Sequence, residues 1–241
     1  MSKYLDLKAN IDDSKIKEAA EIIKNGGLVV FPTETVYGIA ANGLDAEAAQ
    51  KIYLAKERQQ DKPLILLISN REMLDLIVED ISPVEAKLIE AFWPGPLTLI
   101  LNRKSCVPDI ITSGQETVGV RMTSGKIAQR LIEECGFPIT APSANISGKP
   151  SGTNPGDIFQ NFKNKVDCII DGGNSDNKTP STIVRVIDEV PHILRERKDN
   201  FRRNRRSDKV WLRKDKWVTK KNLEKITFLL KNIAFFASLH F

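Results

Sequence analysis

The 241-residue chain is long enough for one large domain or for a domain with an appendage. Its three cysteines are too few and too scattered for a disulfide framework or a C-x-x-C metal site, so we expect buried or incidental thiols. The two histidines, His192 and His240, lie near or in the C-terminal tail, which excludes a His-based triad or a His-rich zinc site in the main domain. Any enzymatic chemistry must therefore rest on Lys, Arg, Ser, Asn, carboxylates and backbone groups.

Charge divides the chain near residue 195. Residues 1–194 carry 21 Lys and Arg against 26 Asp and Glu, a balance of −5, whereas residues 195–241 carry 15 against 5, a balance of +10. The net charge of +5 therefore comes from the tail. We find neither an apolar run of about 18 residues nor the pattern of a signal peptide, so we expect a cytoplasmic protein without membrane contact.

Predicted helices and strands alternate along the main domain. An amphipathic helix over residues 16–23 stops at a Gly-Gly pair, and the apolar GLVVF follows as a buried strand. Asp45 begins a second helix that carries Lys56 and Arg58 at its C-terminal end. Further strands are predicted at 63–68, 97–101, 117–122, 167–173 and 181–187, and a strand that leads into a loop is predicted at 138–145. Further helices are predicted at 82–93, at 125–135 and from residue 155. This order predicts an α/β fold with a twisted, mixed sheet flanked by helices. No G-x-G-x-x-G or Walker A motif follows a strand, so neither a Rossmann nor a P-loop nucleotide site is supported.

Four cations stand where they could bind an anionic ligand. Lys56, Arg58 and Lys62 lie within seven residues at a helix exit and could converge on one group such as a triphosphate. The alternative is that they only complement the helix dipole. Arg121 stands in the otherwise apolar strand TVGVRM, and a buried arginine is costly unless paired. We therefore expect a carboxylate beside Arg121, from the protein or from a ligand.

Two segments rich in hydroxyl groups follow predicted strands, where open α/β sheets place ligands. In PTETVYG, Thr33, Glu34 and Thr35 could present short side chains to a small polar ligand, or the hydroxyls could satisfy only their own turn. In APSANISGKPSGT, Ser143 and Asn145 stand among small residues and glycines that permit close backbone approach. Such a loop suits phosphate oxygens and a nucleotide sugar.

Six ordered segments together resemble the YrdC-like domain family of the threonylcarbamoyl-AMP synthases. They are GGLVVFPTETVYGIA, KIYLAKERQQDKPL, FWPGPLTLIL, VGVRM, PITAPSANISGKPSGT and PSTIVRV. The Lys-x-Arg and Ser-x-Asn pair is the most specific element. The resemblance implies a YrdC-like fold with a central, concave and positively lined ligand cavity. It also implies a catalytic domain over residues 1–195, followed by an atypical basic tail over residues 196–241.

The resemblance implies an L-threonylcarbamoyladenylate synthase, which forms threonylcarbamoyl-AMP and pyrophosphate from L-threonine, bicarbonate and ATP. ATP is then a substrate, and Mg²⁺ is expected with it, although no metal-ligand motif is present in the sequence. A tRNA threonylcarbamoyltransferase is the expected partner, which would move the threonylcarbamoyl group to the adenosine next to the anticodon of tRNA. Such a reaction needs aligned reactants and cations near the developing phosphate charge more than it needs a side-chain nucleophile.

Site residues follow from the resemblance position by position. The catalytic signature corresponds to Lys56, Arg58, Ser143 and Asn145. The positions matching L-threonine contacts are Thr35, Leu67, Arg121, Ala141 and Ser181, and those matching ATP contacts are Lys56, Arg58, Lys62, Thr117, Ser143, Ser151 and Arg195. Leu67 stands where some members carry a histidine, so its contact is expected to be apolar or through the backbone.

The tail departs from the family pattern. LRERKDNFRRNRRS lacks the glycine with which longer members enter a linker, and the residues that remain are too few and too basic for their second domain. Three interpretations of the tail stay open. It could be a solvated basic linker with a terminal helix, it could contact RNA through its cations and tryptophans, or it could result from a frame change after residue 196. Two other functions stay open: a double-stranded RNA or tRNA-binding module without synthase activity, and a carbamoyl-handling relative with another acceptor.

Overall fold

The computed structural model describes residues 2–149, 154–175 and 179–196. The basic tail beyond Glu196, with its predicted terminal helix, lies outside the described residues, as does Ser151. Among the described residues, no helix combines the length and the apolar character needed to cross a bilayer.

Strands and helices interleave in the order expected of an α/β protein. The strands are β1 (Lys3–Asp6), β2 (Val29–Phe31), β3 (Gly38–Ala40), β4 (Ile65–Ile68), β5 (Leu97–Asn102), β6 (Thr117–Met122), β7 (Ile139–Thr140), β8 (Cys168–Asp171), β9 (Thr182–Ile187) and β10 (Val190–Arg195). The helices are α1 (Asp13–Lys24), α2 (Ala46–Lys56), α3 (Arg71–Ile77), α4 (Pro83–Phe92), α5 (Asp109–Thr112), α6 (Lys126–Cys135) and α7 (Pro155–Phe162). The α/β class predicted from the sequence is confirmed.

Local chemistry explains where the main helices begin. Asp45 accepts hydrogen bonds from two backbone N–H groups of the first turn of α2, as the sequence predicts for this N-cap. Ser82 and Glu85 form a capping box at the start of α4, with Pro83 in the first turn. The sequence did not predict β1, β3, α3 or α5, because short elements show little periodicity. It also did not predict β10, an edge strand with no buried residue.

The strands form two mixed sheets that meet edge to edge. One sheet has the order β1-β8-β2-β3 and the other has the order β10-β9-β5-β6-β4-β7. At the junction, β3 lies beside the segment that begins with β7. Gly38 forms a bridge with Ser143, and Asn42 forms one with Ile139. The backbone N–H of Ile39 also donates to Pro142 O (3.0 Å). The junction places the connections that follow β2 and β7 side by side.

Candidate active site

The predicted polar segments meet at the junction of the two sheets. PTETVYG connects β2 to β3, and the backbone N–H of Ala144 donates to Tyr37 O across the junction (2.7 Å). The end of α2 reaches the same loop, because Ser147 N donates to the backbone oxygen of Lys56 (2.9 Å). Both hydroxyl-rich segments and the first cation of the KER motif are therefore neighbours, although they are far apart in the sequence.

A row of residues crosses one face of the six-stranded sheet. In this row Arg195 pairs with Ile183, and Ile183 pairs with Thr98. The register of β5 and β6 places Thr98 opposite Arg121, which pairs in turn with Leu67. Residues paired directly across strands share a face. The sheet therefore aligns three residues that the resemblance assigned to threonine or ATP contacts.

Thr35 holds the guanidinium of Arg121. Arg121 is 3% exposed, and its Nη1 donates to Thr35 Oγ1 (3.0 Å). Thr35 Oγ1 lies 2.8 Å from Thr33 Oγ1, and Thr33 donates to Val36 O (2.7 Å). Each hydroxyl has one proton. Because Thr33 gives its proton to Val36, Thr35 must donate to Thr33, and the hydrogen bonds run in one direction from the guanidinium through two hydroxyls.

Glu34 is the protein carboxylate beside Arg121. Its Oε1 lies 3.6 Å from Arg121 Nη1, and its Oε2 accepts a hydrogen bond from the Thr123 hydroxyl (2.5 Å). The sequence predicted a carboxylate partner for Arg121 without saying which residue supplies it. The Nε of Arg121 is buried and has no acceptor among the residues that the structure describes. A buried donor without an acceptor costs free energy, so this Nε–H is suited to an oxygen of a ligand.

Ser181 and Arg195 are joined at the other end of the row. Arg195 donates to the backbone oxygen of Ser181 through Nε (3.1 Å) and Nη2 (2.9 Å), and Nη2 also approaches Ser181 Oγ (3.2 Å). Ser181 Oγ lies 2.8 Å from Thr98 Oγ1. Desolvation, and then the positive charge of Arg121, lowers the pKa of Arg195. Two guanidinium groups that repel each other would both be stabilised by a bound anion.

Lys56 lies beneath the Ser-x-Asn loop. It is 1% exposed, and its Nζ donates to the backbone oxygens of Ser143 and Asn145, the latter at 2.6 Å. Burial, and then the charge of Arg58, lowers the pKa of Lys56 to about 7. Within the described part of the chain, Lys56 forms no ion pair with a carboxylate. Its charge is compensated by backbone carbonyl dipoles.

Arg58 is half-buried and holds the segment that follows α2. Its Nε donates to Lys62 O (3.1 Å) and its Nη2 donates to Pro63 O (3.0 Å). Burial lowers the pKa of Arg58. Nη1 forms no hydrogen bond with the described residues, so this side of the guanidinium can accept an anionic ligand.

The side chains of the Ser-x-Asn motif close the loop on itself. Ser143 Oγ donates to Asn145 Oδ1 (2.5 Å), and Asn145 Nδ2 donates to the backbone oxygens of Ile146 (2.9 Å) and Lys149 (2.8 Å). Both side chains remain half-buried. The loop therefore has a defined shape, with hydroxyl and amide groups near its surface.

The remaining predicted residues occupy different surroundings. Leu67 is fully buried, and Ala141 is buried with its backbone N–H donating to Ile65 O (3.0 Å). Lys62 is exposed. Thr117 begins β6, four residues before Arg121, which separates them by about 13 Å along an extended strand. The structure thus places Thr117 away from the Thr35 and Arg121 pair.

Some polar groups of the site had no role assigned from the sequence. The sequence gives Thr33 and Glu34 only a general expectation of contact with a small polar ligand, and it gives no role to Thr98 or Thr123. The available signals are simple: Thr98 is the single polar residue of LTLIL, and Glu34 is the single carboxylate of PTETVYG. Neither signal identifies a partner, because the partners lie in distant segments.

The described residues contain no group of three or more His, Cys, Asp or Glu side chains arranged to hold a metal ion. They therefore do not fit a magnesium site built from protein ligands alone. Magnesium commonly keeps water and phosphate oxygens as ligands, so a nucleotide can carry it without such a site.

The fold and the site together define an α/β protein with a cationic, hydroxyl-lined site where two mixed sheets meet. The family model Sua5_yciO_yrdC, described as "Telomere recombination", matches residues 21–197. The chain belongs to this family, as the six sequence segments predicted.

Several relatives share the matched region. The threonylcarbamoyl-AMP synthase of Pyrococcus abyssi (strain GE5 / Orsay) is 45% identical over 195 residues, which cover 81% of this chain and 57% of the relative. The threonylcarbamoyl-AMP synthase of Bacillus subtilis (strain 168) is 42% identical over 189 residues, with 76% and 54% covered. A crystal structure of P. abyssi Sua5 complexed with L-threonine superposes with a TM-score of 0.79 at 44% identity, covering 81% of this chain and 58% of that one. The chain thus spans somewhat more than half the length of these relatives.

Proposed function

We propose that this chain is an L-threonylcarbamoyladenylate synthase, which forms threonylcarbamoyl-AMP and pyrophosphate from L-threonine, bicarbonate and ATP. The proposal rests mainly on the surroundings of Arg121. Its guanidinium is buried and oriented by Thr35, and its Nε–H has no acceptor among the described residues. A small carboxylate ligand would supply that acceptor with a charge-assisted hydrogen bond. The relatives named as threonylcarbamoyl-AMP synthases support the same assignment.

The threonine side of the site is proposed to lie between PTETVYG and the six-stranded sheet. Arg121 would bind the carboxylate, and Thr35 would hold Arg121 in place. Ser181 would offer its hydroxyl to the polar end of the amino acid. Leu67 and Ala141 would form the apolar wall, because both are buried and carry no polar side-chain group. A bound amino acid would thereby be fixed by charge at one end and by shape at the other.

The ATP side is proposed to lie along the Ser-x-Asn loop and the cations near it. Arg58, Lys62 and Arg195 form no ion pair with a carboxylate of the described residues, so their charges are available to phosphate oxygens. Ser143, Thr117 and Ser151 would add hydroxyl groups, and Asn145 would complete the loop. Magnesium is proposed to arrive on the phosphates of ATP.

The reaction needs alignment and charge stabilisation more than a protein nucleophile. The threonine amine attacks the carbon of bicarbonate, water is lost, and a carbamate forms. A carbamate oxygen then attacks the α-phosphorus of ATP, and the bond to pyrophosphate breaks. Fixed cations near the phosphates would stabilise the charge that develops as pyrophosphate leaves. The amine must be unprotonated to attack, so the site is expected to work better above neutral pH than below it.

The most direct test is release of pyrophosphate. Purified protein is incubated with ATP, bicarbonate and L-threonine, and pyrophosphate is measured with each substrate omitted in turn. We expect release only when all three are present. Release without threonine, or equal release with other amino acids, would contradict the proposal and favour a carbamoyl-handling relative with another acceptor.

Two classes of variant separate the two sides of the site. We expect Arg121→Ala to raise the KM for threonine by about 10-fold or more, since a charge-assisted hydrogen bond is lost. We expect Arg58→Ala and Ser143→Ala to raise the KM for ATP instead. Arg71→Ala is the matched control, because Arg71 is exposed and its ion pair among the described residues is with Asp75 in its own helix. Unchanged kinetics in all three site variants would place the site elsewhere.

The competing function is an RNA-binding module without synthase activity. It predicts salt-sensitive binding of double-stranded RNA or tRNA and no pyrophosphate under any substrate combination. If pyrophosphate is released, the adenylate product requires an acceptor, and we propose that a tRNA threonylcarbamoyltransferase consumes it. We also propose that residues 1–195 form the catalytic domain, so that truncation after Arg195 would leave a folded protein.

A further inference from the structure

Lys56 is bonded to the Ser-x-Asn loop at three points. Its Nζ donates to the backbone oxygens of Ser143 and Asn145, and its own backbone oxygen accepts a hydrogen bond from Ser147 N. The residue therefore holds the loop through its side chain and its main chain. The last turn of α2 and the loop behave as one unit.

The amine of Lys56 is occupied by protein acceptors, whereas the similarly buried Arg121 keeps an Nε–H without an acceptor among the described residues. The side chain is 1% exposed, and its Nζ is directed to the carbonyls of the loop. Arg58, two residues later, is half-buried and has a guanidinium nitrogen free of protein partners among the described residues. The two cations of the Lys-x-Arg motif therefore occupy different environments.

The loop needs the donors that Lys56 supplies. Residues 141–149 contain no helix and no named strand, so their backbone oxygens depend on donors from turns, neighbouring segments and side chains. Ser143 O accepts from Asn145 N (2.9 Å) as well as from Lys56. Buried backbone oxygens without donors are costly. The amine that reaches from α2 adds a further donor to Ser143 O and supplies one to Asn145 O, and it thereby ties both residues to the helix.

We infer that Lys56 is a positioning residue, which holds the loop from beneath so that Ser143 and Asn145, rather than Lys56, contact the nucleotide. This inference rests on the proposed function in one respect, because it takes the loop to be part of the ATP site. The effect of Lys56 on the shape of the loop can be measured without any nucleotide.

The first experiment measures hydrogen exchange in the ligand-free protein. Lys56→Met keeps an unbranched side chain but removes the amine. We expect the amides of residues 145, 147 and 149 to exchange about 10-fold faster or more in this variant, because the loop loses two hydrogen bonds. Lys51→Met is the matched control, since Lys51 lies in the same helix and donates to one carbonyl, that of Gly26, on the exposed side. The control should leave exchange in the loop unchanged.

The second experiment compares substrate dependence. We expect Lys56→Met to raise the KM for ATP by about 10-fold while the KM for threonine changes less than about twofold. A role in general stability alone would affect both substrates alike. A fall in ATP affinity with normal exchange in the loop would mean that Lys56 contacts the phosphates, and it would overturn the inference. Normal exchange with normal kinetics would overturn it as well. If no activity is found with the wild-type protein, the exchange result still decides the structural part.

A third experiment uses the wild-type protein and does not depend on a variant that folds. Native protein is acetylated briefly, with and without ATP, and modified lysines are identified by mass spectrometry. An accessible lysine with a lowered pKa would react readily, because more of its amine is unprotonated. We expect Lys56 to stay unmodified in both states, whereas the exposed Lys62 is modified without ATP. Modification of Lys56 in the free protein that ATP prevents would overturn the inference.

Discussion

Replacing Thr35 by valine removes one hydroxyl and changes the shape of the side chain little. The hydroxyl is the acceptor for Arg121 Nη1 (3.0 Å) and the donor to Thr33, and Thr35 is 2% exposed. In the variant, Nη1–H stays buried without this acceptor, and water cannot replace it without rearrangement. The hydrogen bonds that run from the guanidinium through the two hydroxyls are lost, while the ion pair with Glu34 and the apolar packing are kept.

The expected size of the effect follows from that lost bond. A buried donor left without an acceptor costs about 1–3 kcal/mol of the free energy of unfolding. A hydrogen bond to a charged group contributes about 1.5–3 kcal/mol, so an Arg121 that is no longer oriented should bind L-threonine roughly 10- to 100-fold more weakly. Urea unfolding measures the first quantity, and titration calorimetry with L-threonine measures the second.

Thr112→Val is the matched control for this prediction. Thr112 is fully buried, and its hydroxyl donates to a neutral backbone oxygen, that of Asp109 (3.3 Å), within α5. The control should cost less than about 1 kcal/mol and leave threonine affinity unchanged. If Thr35→Val keeps the stability and the threonine affinity of the wild type, then Thr35 does not orient Arg121, and the assignment of the threonine side is refuted.

Three further properties follow from burial in the structure. Of the three thiols, only the exposed Cys106 should react rapidly with a thiol reagent at pH 8, because burial raises the pKa of Cys135 and of Cys168 to about 12. In denaturant all three thiols should react. Burial, and then the charge of Arg58, lowers the pKa of Lys56 from 10.5 to about 7 in the folded protein. Between these two pH values the unfolded chain therefore binds more protons than the folded protein. The contribution of Lys56 to the free energy of unfolding should therefore rise from pH 7 to pH 9 and be constant below pH 7. Urea unfolding at several pH values should show a smaller rise for Lys56→Met than for the wild type. Gly43→Ala would place a Cβ 2.6 Å from Leu66 Cδ2 and 2.7 Å from a backbone oxygen, so it should lower the free energy of unfolding by about 1–3 kcal/mol; a wild-type urea midpoint would show that the backbone can move.

The order of helices and strands could be predicted because their signals are local. The N-cap of α2 at Asp45, the capping box at Ser82 and the apolar runs of β2 and β8 depend on residues close together in the chain. The short β3 could not be predicted, since its pairing with β2 and with the loop after β7 depends on segments that the sequence separates widely.

For the site, the sequence by itself determined which groups are available, and the tertiary structure decided which of them meet. Chemistry alone required a partner for a buried arginine in TVGVRM, since an unpaired buried charge is too costly. That the partners are Thr35 and Glu34, more than 80 residues earlier, depended on the edge-to-edge junction of the two sheets. The sequence likewise placed Lys56 and Arg58 together as cations. Only folding separated them, because carbonyls of the Ser-x-Asn loop bind the amine of Lys56, whereas the guanidinium of Arg58 is half-buried and donates to Lys62 O and Pro63 O.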